Sequence, residues 1–434
     1  MRRSVLALLA ILVALSMQAP FATQTRAQEG VNIISDAARN DFPTGVTFTL
    51  SFTAASQPEE VRLSYELAPD GTGATAIANC DGTSTINCSF TLTSGRGIYV
   101  IPGAQITYHW EITDAAGDRT STDERLYAHE DTRFNFFELT EGNVTVFYHL
   151  ATEDEAAAVL RAAIEGIERT GSLEQATVPF PVKIFLYETA AEMQPAIVSG
   201  GGQGVTVLGE VLYSDTAMVS ADTATLDITR HEIAHIVTRE ATRGPFDIPG
   251  WLNEGISVFV QNAPLPGHQS ALDTAIANDR TLTMPQLNSS ATGGSAGTVG
   301  VYYGQSGSMV RYLVETYGEE QFAELLRTFK AGSRIDNAFE TVYGFDQAGL
   351  ENEWRGFVGL PPRVAAPTVT PAPDDEEARG EATSSPGDSD GSASSGGSDG
   401  DGGGTMIAYA IIGVLALATL GTIVYSASVI RSRW

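Results

Sequence analysis

The 434-residue chain is long enough for two or three domains, and a composition of 43% hydrophobic and 18% charged residues is typical of a mostly folded protein. Its formal net charge of −28, from 53 acidic and 25 basic residues, argues against a nucleic-acid binder, because such a protein needs a basic surface. The two cysteines exclude a disulfide-scaffold fold and a zinc module built on four cysteines.

The N-terminus has the three-part layout of a secretory signal, which we predict over residues 1–27. Two arginines precede an apolar run from Val5 to Leu15, and Thr25 and Ala27 supply small residues at the −3 and −1 positions of a cleavage site. An uncleaved membrane anchor is the alternative, but the apolar run is short for a span. We therefore expect the chain to be exported.

Residues 28–135 have the pattern of an all-β module. Apolar and polar residues alternate over 46–52, 61–65 and 106–112, and turn signals rich in proline, glycine and aspartate separate these segments. Short strands at this spacing predict an immunoglobulin-like or fibronectin-like sandwich. Cys80 and Cys88 enclose seven residues, and in an exported chain we expect them to form a local disulfide.

Residues 136–360 change to strands followed by helices, an order that predicts an α+β domain. The predicted strands are 144–148, 182–187, 205–208 and 210–213. The predicted helices are 153–169, 225–240, 251–262, 305–317, 319–331 and 334–343.

The chain after residue 360 predicts a stalk and a membrane anchor. Residues 361–404 are rich in proline, acidic residues, serine and glycine, so they cannot bury a core; nine acids and one base give 364–404 a charge of −8. Residues 405–430 contain the uncharged run Met406 to Tyr425, long enough to form a single transmembrane helix. Arginines in the tail 431–434 place the C-terminus in the cytoplasm and the folded ectodomain outside the cell, at the cell membrane.

The motif that carries chemistry is His231-Glu232-Ile233-Ala234-His235, an HExxH sequence. Residues i and i+4 share one face of a helix, so both imidazoles can reach one metal ion, and neutral imidazole is a good zinc ligand. Glu232, next to the first histidine, can address a metal-bound water from the same side. Thr238 and Ala241 stand where a metzincin has glycine and histidine, which excludes that class.

A second motif, Trp251-Leu252-Asn253-Glu254-Gly255, follows 16 residues after His235 and places Glu254 19 positions after that histidine. Two histidines and one glutamate match a catalytic zinc site that keeps its fourth position open for water. The two motifs resemble those of the gluzincin metallopeptidases, and most closely the peptidase MA-like domains of exported bacterial proteins. The resemblance covers roughly residues 140–360. It implies a zincin-like fold, with His231, His235 and Glu254 as Zn²⁺ ligands and Glu232 as general base.

Gluzincins also use a downstream tyrosine or histidine to stabilise the tetrahedral oxyanion. The stretch Tyr302-Tyr303-Gly304-Gln305-Ser306, which we expect to precede a helix, is similar to one in peptidase MA-like domains. The resemblance therefore implies Tyr303 as the oxyanion-stabilising residue, with Tyr302 as second choice. The alternative is that both tyrosines are ordinary core aromatics.

The sequence departs from the gluzincin pattern at two places. No Gly-x-Met-Glu-Asn segment is present to grip a substrate amine, and Glu210 lacks those neighbours, so an endopeptidase is favoured over an aminopeptidase. Thermolysin-like enzymes often have an aspartate four residues after the third ligand, where Val258 stands here. We therefore expect Ser257, Asp227 or a backbone carbonyl to orient a zinc histidine.

These observations predict an extracytoplasmic, membrane-anchored zinc metallopeptidase that acts on a protein or peptide substrate, with the strand region 205–213 as the sheet edge that pairs with it. One alternative is a non-catalytic cell-surface binding or adhesion protein with a degenerate zincin domain. Another is a zinc-dependent sensor that sheds its ectodomain by cleavage in the stalk. The remaining histidines lack ligand spacing and are expected in strands, loops or on the surface: His109, His129, His149 and His268.

Overall fold

The computed structural model describes residues 30–68, 71–94, 99–197, 206–213, 215–221, 224–289, 296–363 and 409–413. The predicted signal at 1–27, the stalk beyond residue 363, the tail 431–434 and all but five residues of the predicted 405–430 helix lie outside these ranges.

The described strands are β1 (Val31–Asn40), β2 (Gly45–Ala54), β3 (Glu60–Ala68), β4 (Thr72–Ile77), β5 (Asn79–Asp81), β6 (Ile86–Thr93), β7 (Gln105–Thr113), β8 (Arg119–Ser121), β9 (Arg125–Ala128), β10 (Phe137–Glu141), β11 (Val144–Tyr148), β12 (Val182–Tyr187), β13 (Thr206–Tyr213), β14 (Thr216–Ser220) and β15 (Tyr409–Gly413). The described helices are α1 (Glu153–Glu174), α2 (Ala190–Met193), α3 (Thr225–Thr242), α4 (Gly250–Val260), α5 (Pro266–Ala277), α6 (Met284–Leu287), α7 (Ala296–Tyr317), α8 (Glu319–Lys330), α9 (Ile335–Tyr343) and α10 (Gln347–Phe357), with a 3₁₀ turn at Gln194–Ala196.

The N-terminal half is a β-sandwich of two antiparallel sheets. One sheet has the order β1-β2-β6-β5, and the other has the order β4-β3-β7-β8 with β9 also paired to β7. Strand alternation turns Phe48, Leu63 and Trp110 into a shared core, where each is fully buried. Cys80 and Cys88 lie directly opposite each other on β5 and β6 and form the expected disulfide. The sandwich prediction is confirmed.

The second half begins with a sheet of order β10-β11-β12-β14-β13-β15, in which β11, β12 and β14 run parallel. Helices α1 and α3 pack on it through a buried cluster that includes Val146, Val159, Ile184 and Ile233. The helices from α4 onward then form a second layer against α3, with α4 and α7 packed closely together. The zincin-like α+β class is confirmed for this half.

The sheet differs from the sequence prediction at its outer side. Residues 206–213 form one strand instead of two, and the unpredicted β14 lies between it and β12. Tyr409–Gly413, predicted as part of a transmembrane helix, forms a strand whose antiparallel pairing with β13 satisfies backbone groups of both. In this structure β13 is therefore not the open edge strand that we expected. None of the helices in the described part of the chain combines the length and the apolar character needed to cross a membrane.

The helical layer matches the predicted α3, α4, α8 and α9 within two residues at each end, and it also contains α5, α6 and α10, which were not predicted. Helix α7 starts nine residues earlier than expected, so Tyr302 and Tyr303 lie inside a helix and not before one. Its buried residues Val299, Tyr302, Tyr303 and Ser306 follow the three-four spacing of a helix face.

Candidate metal centre

The three predicted ligands meet at one point between α3 and α4. Oε2 of Glu254 lies 3.1 Å from Nε2 of His231 and 3.6 Å from Nε2 of His235. The three ligand atoms lie within 4.8 Å of one another, and no other such trio of histidine, cysteine or acidic side chains occurs in the described ranges. Zinc bonds of about 2.0–2.1 Å place tetrahedral ligand atoms roughly 3.3 Å apart, so the donor set fits one zinc ion.

Helix α3 holds the two histidines on a rigid platform. Every residue from Ile228 to Thr238 is buried, because α3 lies between the sheet with α1 on one side and the helices α4 and α8 on the other. A helix that is buried all round is fixed by packing on each face. Glu232 is completely buried on this same segment, between the two ligands in sequence.

Two of the three candidate ligands, His231 and Glu254, have the charges that metal binding requires. Burial lowers the pKa of His231 to about 4, so its imidazole is neutral at neutral pH. Burial would raise the pKa of Glu254, but the neighbouring His235 and His231 outweigh it and lower that pKa to about 2. A neutral imidazole and an ionised carboxylate are the metal-binding forms of these side chains.

Ser257, one of the predicted orienting residues, contacts a candidate zinc histidine. Its Oγ lies 3.1 Å from Nδ1 of His235, one turn after Glu254 on α4. With Nε2 directed at the metal position, Nδ1 would carry the proton and donate a hydrogen bond to Oγ of Ser257. Asp227, another predicted partner, instead accepts from Arg230 at 3.2 Å and from the backbone N–H of Asn262 at 2.8 Å.

Helix α7 brings the two tyrosines to the metal centre. The ring of Tyr303 is buried with its centroid 6.1 Å from that of His231. The hydroxyl of Tyr302 lies beside Gly250, the first residue of α4. The close approach of α4 and α7 depends on Gly255, since a Cβ there would lie 2.5 Å from the carbonyl oxygen of Ser306. Gly255, the last residue of the second motif, therefore allows α7 with its two tyrosines to pack closely against α4.

His268 is a site residue that the sequence analysis missed. It lies on α5, is only 2% exposed, and stacks on Tyr303 with ring centroids 4.9 Å apart and planes 10° from parallel. Neither of its ring nitrogens has a hydrogen-bond partner among the described residues, and burial lowers its pKa to about 4. No local spacing marks this residue, because only the packing of α5 on α7 brings it to Tyr303.

The expectation of strand, loop or surface positions holds for the other three histidines, since His109 lies on β7 and His129 and His149 lie in loops. His129 is fully buried, although it lies in a loop, and the buried side chain of His149 stacks on Phe134 with centroids 4.1 Å apart. Both lie in the aromatic region between the two halves of the molecule and not among the candidate zinc ligands.

One family model matches the chain. Residues 162–359 match the model of the peptidase MA superfamily, and this segment contains all the residues of the metal centre. Similar solved structures include an M1 zinc metallopeptidase from Deinococcus radiodurans, with 12% identity, 80% of this chain and 97% of that chain covered, and a TM-score of 0.33. They also include aminopeptidase A of Legionella pneumophila in complex with aspartic acid, with 8% identity, coverage of 75% and 49%, and a TM-score of 0.33. No curated protein matches the chain.

Proposed function

We propose that this chain, whose residues 162–359 form a peptidase MA domain, is an extracytoplasmic, membrane-anchored zinc endopeptidase. The observation that carries the proposal is the buried convergence of His231, His235 and Glu254, with Glu232 on the same helix. The location outside the cell rests on the export signal of the sequence, and the anchor rests on its uncharged C-terminal run, although Tyr409–Gly413 of that run forms β15 in the structure. The complete ligand set favours an enzyme over an adhesion protein with a degenerate site.

His231, His235 and Glu254 would hold the metal, and Ser257 would fix the ring of His235. When bound, a zinc ion supplies a Lewis acid that polarises a carbonyl and lowers the pKa of water. Glu232 accepts the proton of the attacking water and passes it to the leaving amine nitrogen. Tyr303 donates a hydrogen bond to the developing oxyanion, and Tyr302 is the second candidate for that donor.

His268 is assigned a positioning role in this mechanism. Its ring covers the face of Tyr303 in a nearly parallel stack, so it restricts the rotation of the tyrosine ring about χ1 and χ2. A hydrogen-bond donor that is already in place costs no reorganisation when charge develops on the substrate oxygen.

We propose internal cleavage because the chain lacks the motif with which related aminopeptidases bind the substrate amino group. The chain has no Gly-x-Met-Glu-Asn segment of the kind with which aminopeptidases grip a free substrate N-terminus. An extended polypeptide would then bind with residues on both sides of the bond that is cut. Mass spectrometry of the products separates the two modes, because an endopeptidase releases internal fragments and an aminopeptidase releases single residues.

The test is the substitution Glu232→Gln, compared with the wild type on an unfolded protein substrate. We expect the variant to lose at least about 100-fold in rate, because Gln cannot accept the proton, and to keep its bound zinc. Glu240→Gln, on the same helix but partly exposed, is the matched control and should retain activity. Equal activity of the Glu232 variant, or full activity of the wild type after metal chelation, would contradict the proposal.

A further inference from the structure

A cavity of about 390 Å³ lies between the β-sandwich and the sheet of the peptidase domain. It is bounded by the start of β7, the segment that connects the two halves, and one face of β10, β11 and β12. Its size is that of a small-molecule pocket. The lining residues are Gly103, Gln105, Ala128, His129, Glu130, Asp131, Phe134, Asn135, Phe136, Glu138, Phe147, Lys183 and Phe185.

The floor of this cavity is aromatic. The parallel register of β11 and β12 pairs Phe147 with Phe185 on the sheet face opposite α1, and their rings stack with centroids 4.7 Å apart and planes 11° from parallel. Phe136 adds its ring to Phe185 edge to face, with centroids 5.5 Å apart. Side chains of this kind present faces of negative potential to a cation.

The sandwich closes the cavity through Gly103. This residue has φ +85°, and a Cβ on it would lie 2.8 Å from the ring of Phe185, so only glycine allows the approach. Lys183 fixes the contact, because its Nζ donates to the carbonyl oxygen of Gly103 at 3.0 Å and to Asp215 at 2.8 Å. The ion pair with Asp215 also balances the charge of Lys183.

The cavity carries an excess of negative charge. Asp131 is balanced by Arg133 at 2.6 Å, but Glu130 and Glu138 form no ion pair with any residue that the structure describes. Two solvent-exposed carboxylates therefore lie at the rim of the cavity, beside the aromatic floor, without a protein counter-charge.

The cavity wall also contains a buried polar side chain without a partner. His129 is completely buried, and neither of its ring nitrogens has a hydrogen-bond partner within the described ranges. Burial lowers its pKa to about 4, so it is neutral at neutral pH and does not repel a cation.

We propose that this cavity binds a guanidinium group on an alkyl stem. The planar guanidinium stacks on aromatic rings and donates several hydrogen bonds to carboxylates, which matches the combination of Phe147, Glu130 and Glu138. The alkyl stem occupies the rest of the volume against Phe134 and Phe136. Either a free guanidine compound or the arginine side chain of a polypeptide supplies this chemistry.

The test is calorimetric titration of the full chain with n-butylguanidinium and with n-butylurea, its uncharged isostere. We expect saturable one-to-one binding of the cation and at least about tenfold weaker binding of the urea, because charge-assisted hydrogen bonds are lost. Glu138→Gln should weaken binding of the cation about tenfold. Glu141→Gln removes an exposed acid of the same strand that does not line the cavity, and it should have no effect.

Two further measurements locate the guanidinium-binding site and identify whether a polypeptide or a small molecule supplies the group. Glu254→Ala should leave the affinity unchanged, since the metal centre does not contribute to this cavity. Competition by a peptide with an internal arginine would show that a polypeptide supplies the cation, and binding without such competition would assign a small molecule. Equal binding of cation and urea, equal losses in the Glu138 and Glu141 variants, or no saturable binding would overturn the proposal.

Discussion

At the residue scale, the single hydrogen bond between Ser257 and His235 sets the ring orientation of one ligand. Removing it in Ser257→Ala leaves Nδ1 of a buried imidazole without this contact and lets the ring turn. We expect zinc affinity to fall roughly 10- to 100-fold, as for other residues that orient metal ligands. Zinc content measured against a competing chelator checks this, and Ser270→Ala, at an exposed site on α5, is the control. An unchanged affinity would mean that packing alone orients His235.

The stack of His268 on Tyr303 makes a second prediction. His268→Ala removes the ring that restrains Tyr303, so kcat should fall about tenfold while KM stays nearly constant. His268→Phe keeps an aromatic ring in the stack and should retain most of kcat.

A double variant separates this positioning role from general destabilisation. If His268 acts through the tyrosine hydroxyl, His268→Ala should add little to the loss already caused by Tyr303→Phe. Additive losses in the double variant would contradict the positioning role, and so would a kcat for His268→Phe as low as that of His268→Ala.

At the element scale, the local sequence predicted the helices that carry the two metal-ligand motifs. The HExxH spacing placed α3, and the second motif placed α4, because metal ligands need a helix face. The first turns of α7 were missed because Gly297 and Gly300 have low helix propensity, and packing against α4 and α5 overrides it. Strand β14 was missed because its position in the sheet depends on a parallel pairing with β12, which is a non-local contact.

The contact between α4 and α7 yields the prediction at this scale. Gly255→Ala places a methyl group 2.5 Å from the carbonyl oxygen of Ser306, so the two helices must separate. We expect a loss of about 1–3 kcal/mol in the free energy of unfolding, together with lower kcat, since Tyr303 moves with α7.

The control for this effect is Gly356→Ala in α10, where a Cβ would meet no atom within 4 Å. That change should be neutral or stabilising by about 0.5–1 kcal/mol, because alanine favours a helix over glycine. Denaturant titration with circular dichroism measures both variants. Equal stability of the Gly255 and Gly356 variants would show that the helices tolerate separation.

At the scale of the whole molecule, the two halves are joined by contacts that no local pattern reveals. Asp131, in the connecting segment, accepts hydrogen bonds from Arg133 and from the hydroxyl of Tyr187 on β12. Lys183 joins Gly103 of the sandwich to Asp215 beside β14. The sequence predicted both halves and their order. The cavity between them could not be predicted, because its lining residues are up to 82 positions apart, as for Gly103 and Phe185.

The stability of the whole molecule should depend on pH through Glu174, which α1 buries against α3. Its Oε1 accepts from Thr238 at 2.6 Å, and burial raises its pKa from 4.5 to about 8. A carboxyl group whose pKa is raised by folding stabilises the native state fully below pH 4.5, and this contribution is lost as the pH rises toward 8. Glu174→Gln, which cannot ionise, should therefore match the wild type at low pH and gain an advantage of up to about 1.4 kcal/mol per pH unit between those limits.

Thermal unfolding of the two proteins from pH 4 to pH 9 measures this difference, which should widen with pH and level off above about pH 8. Glu168→Gln removes an exposed acid from the same helix, so the difference from wild type should stay constant across that range. A constant difference for Glu174→Gln as well would mean that Glu174 ionises as freely in the folded protein as in the unfolded chain. That result would contradict the burial of a neutral carboxyl group between α1 and α3, and with it the tight packing that holds the helix of the candidate metal centre against the sheet layer.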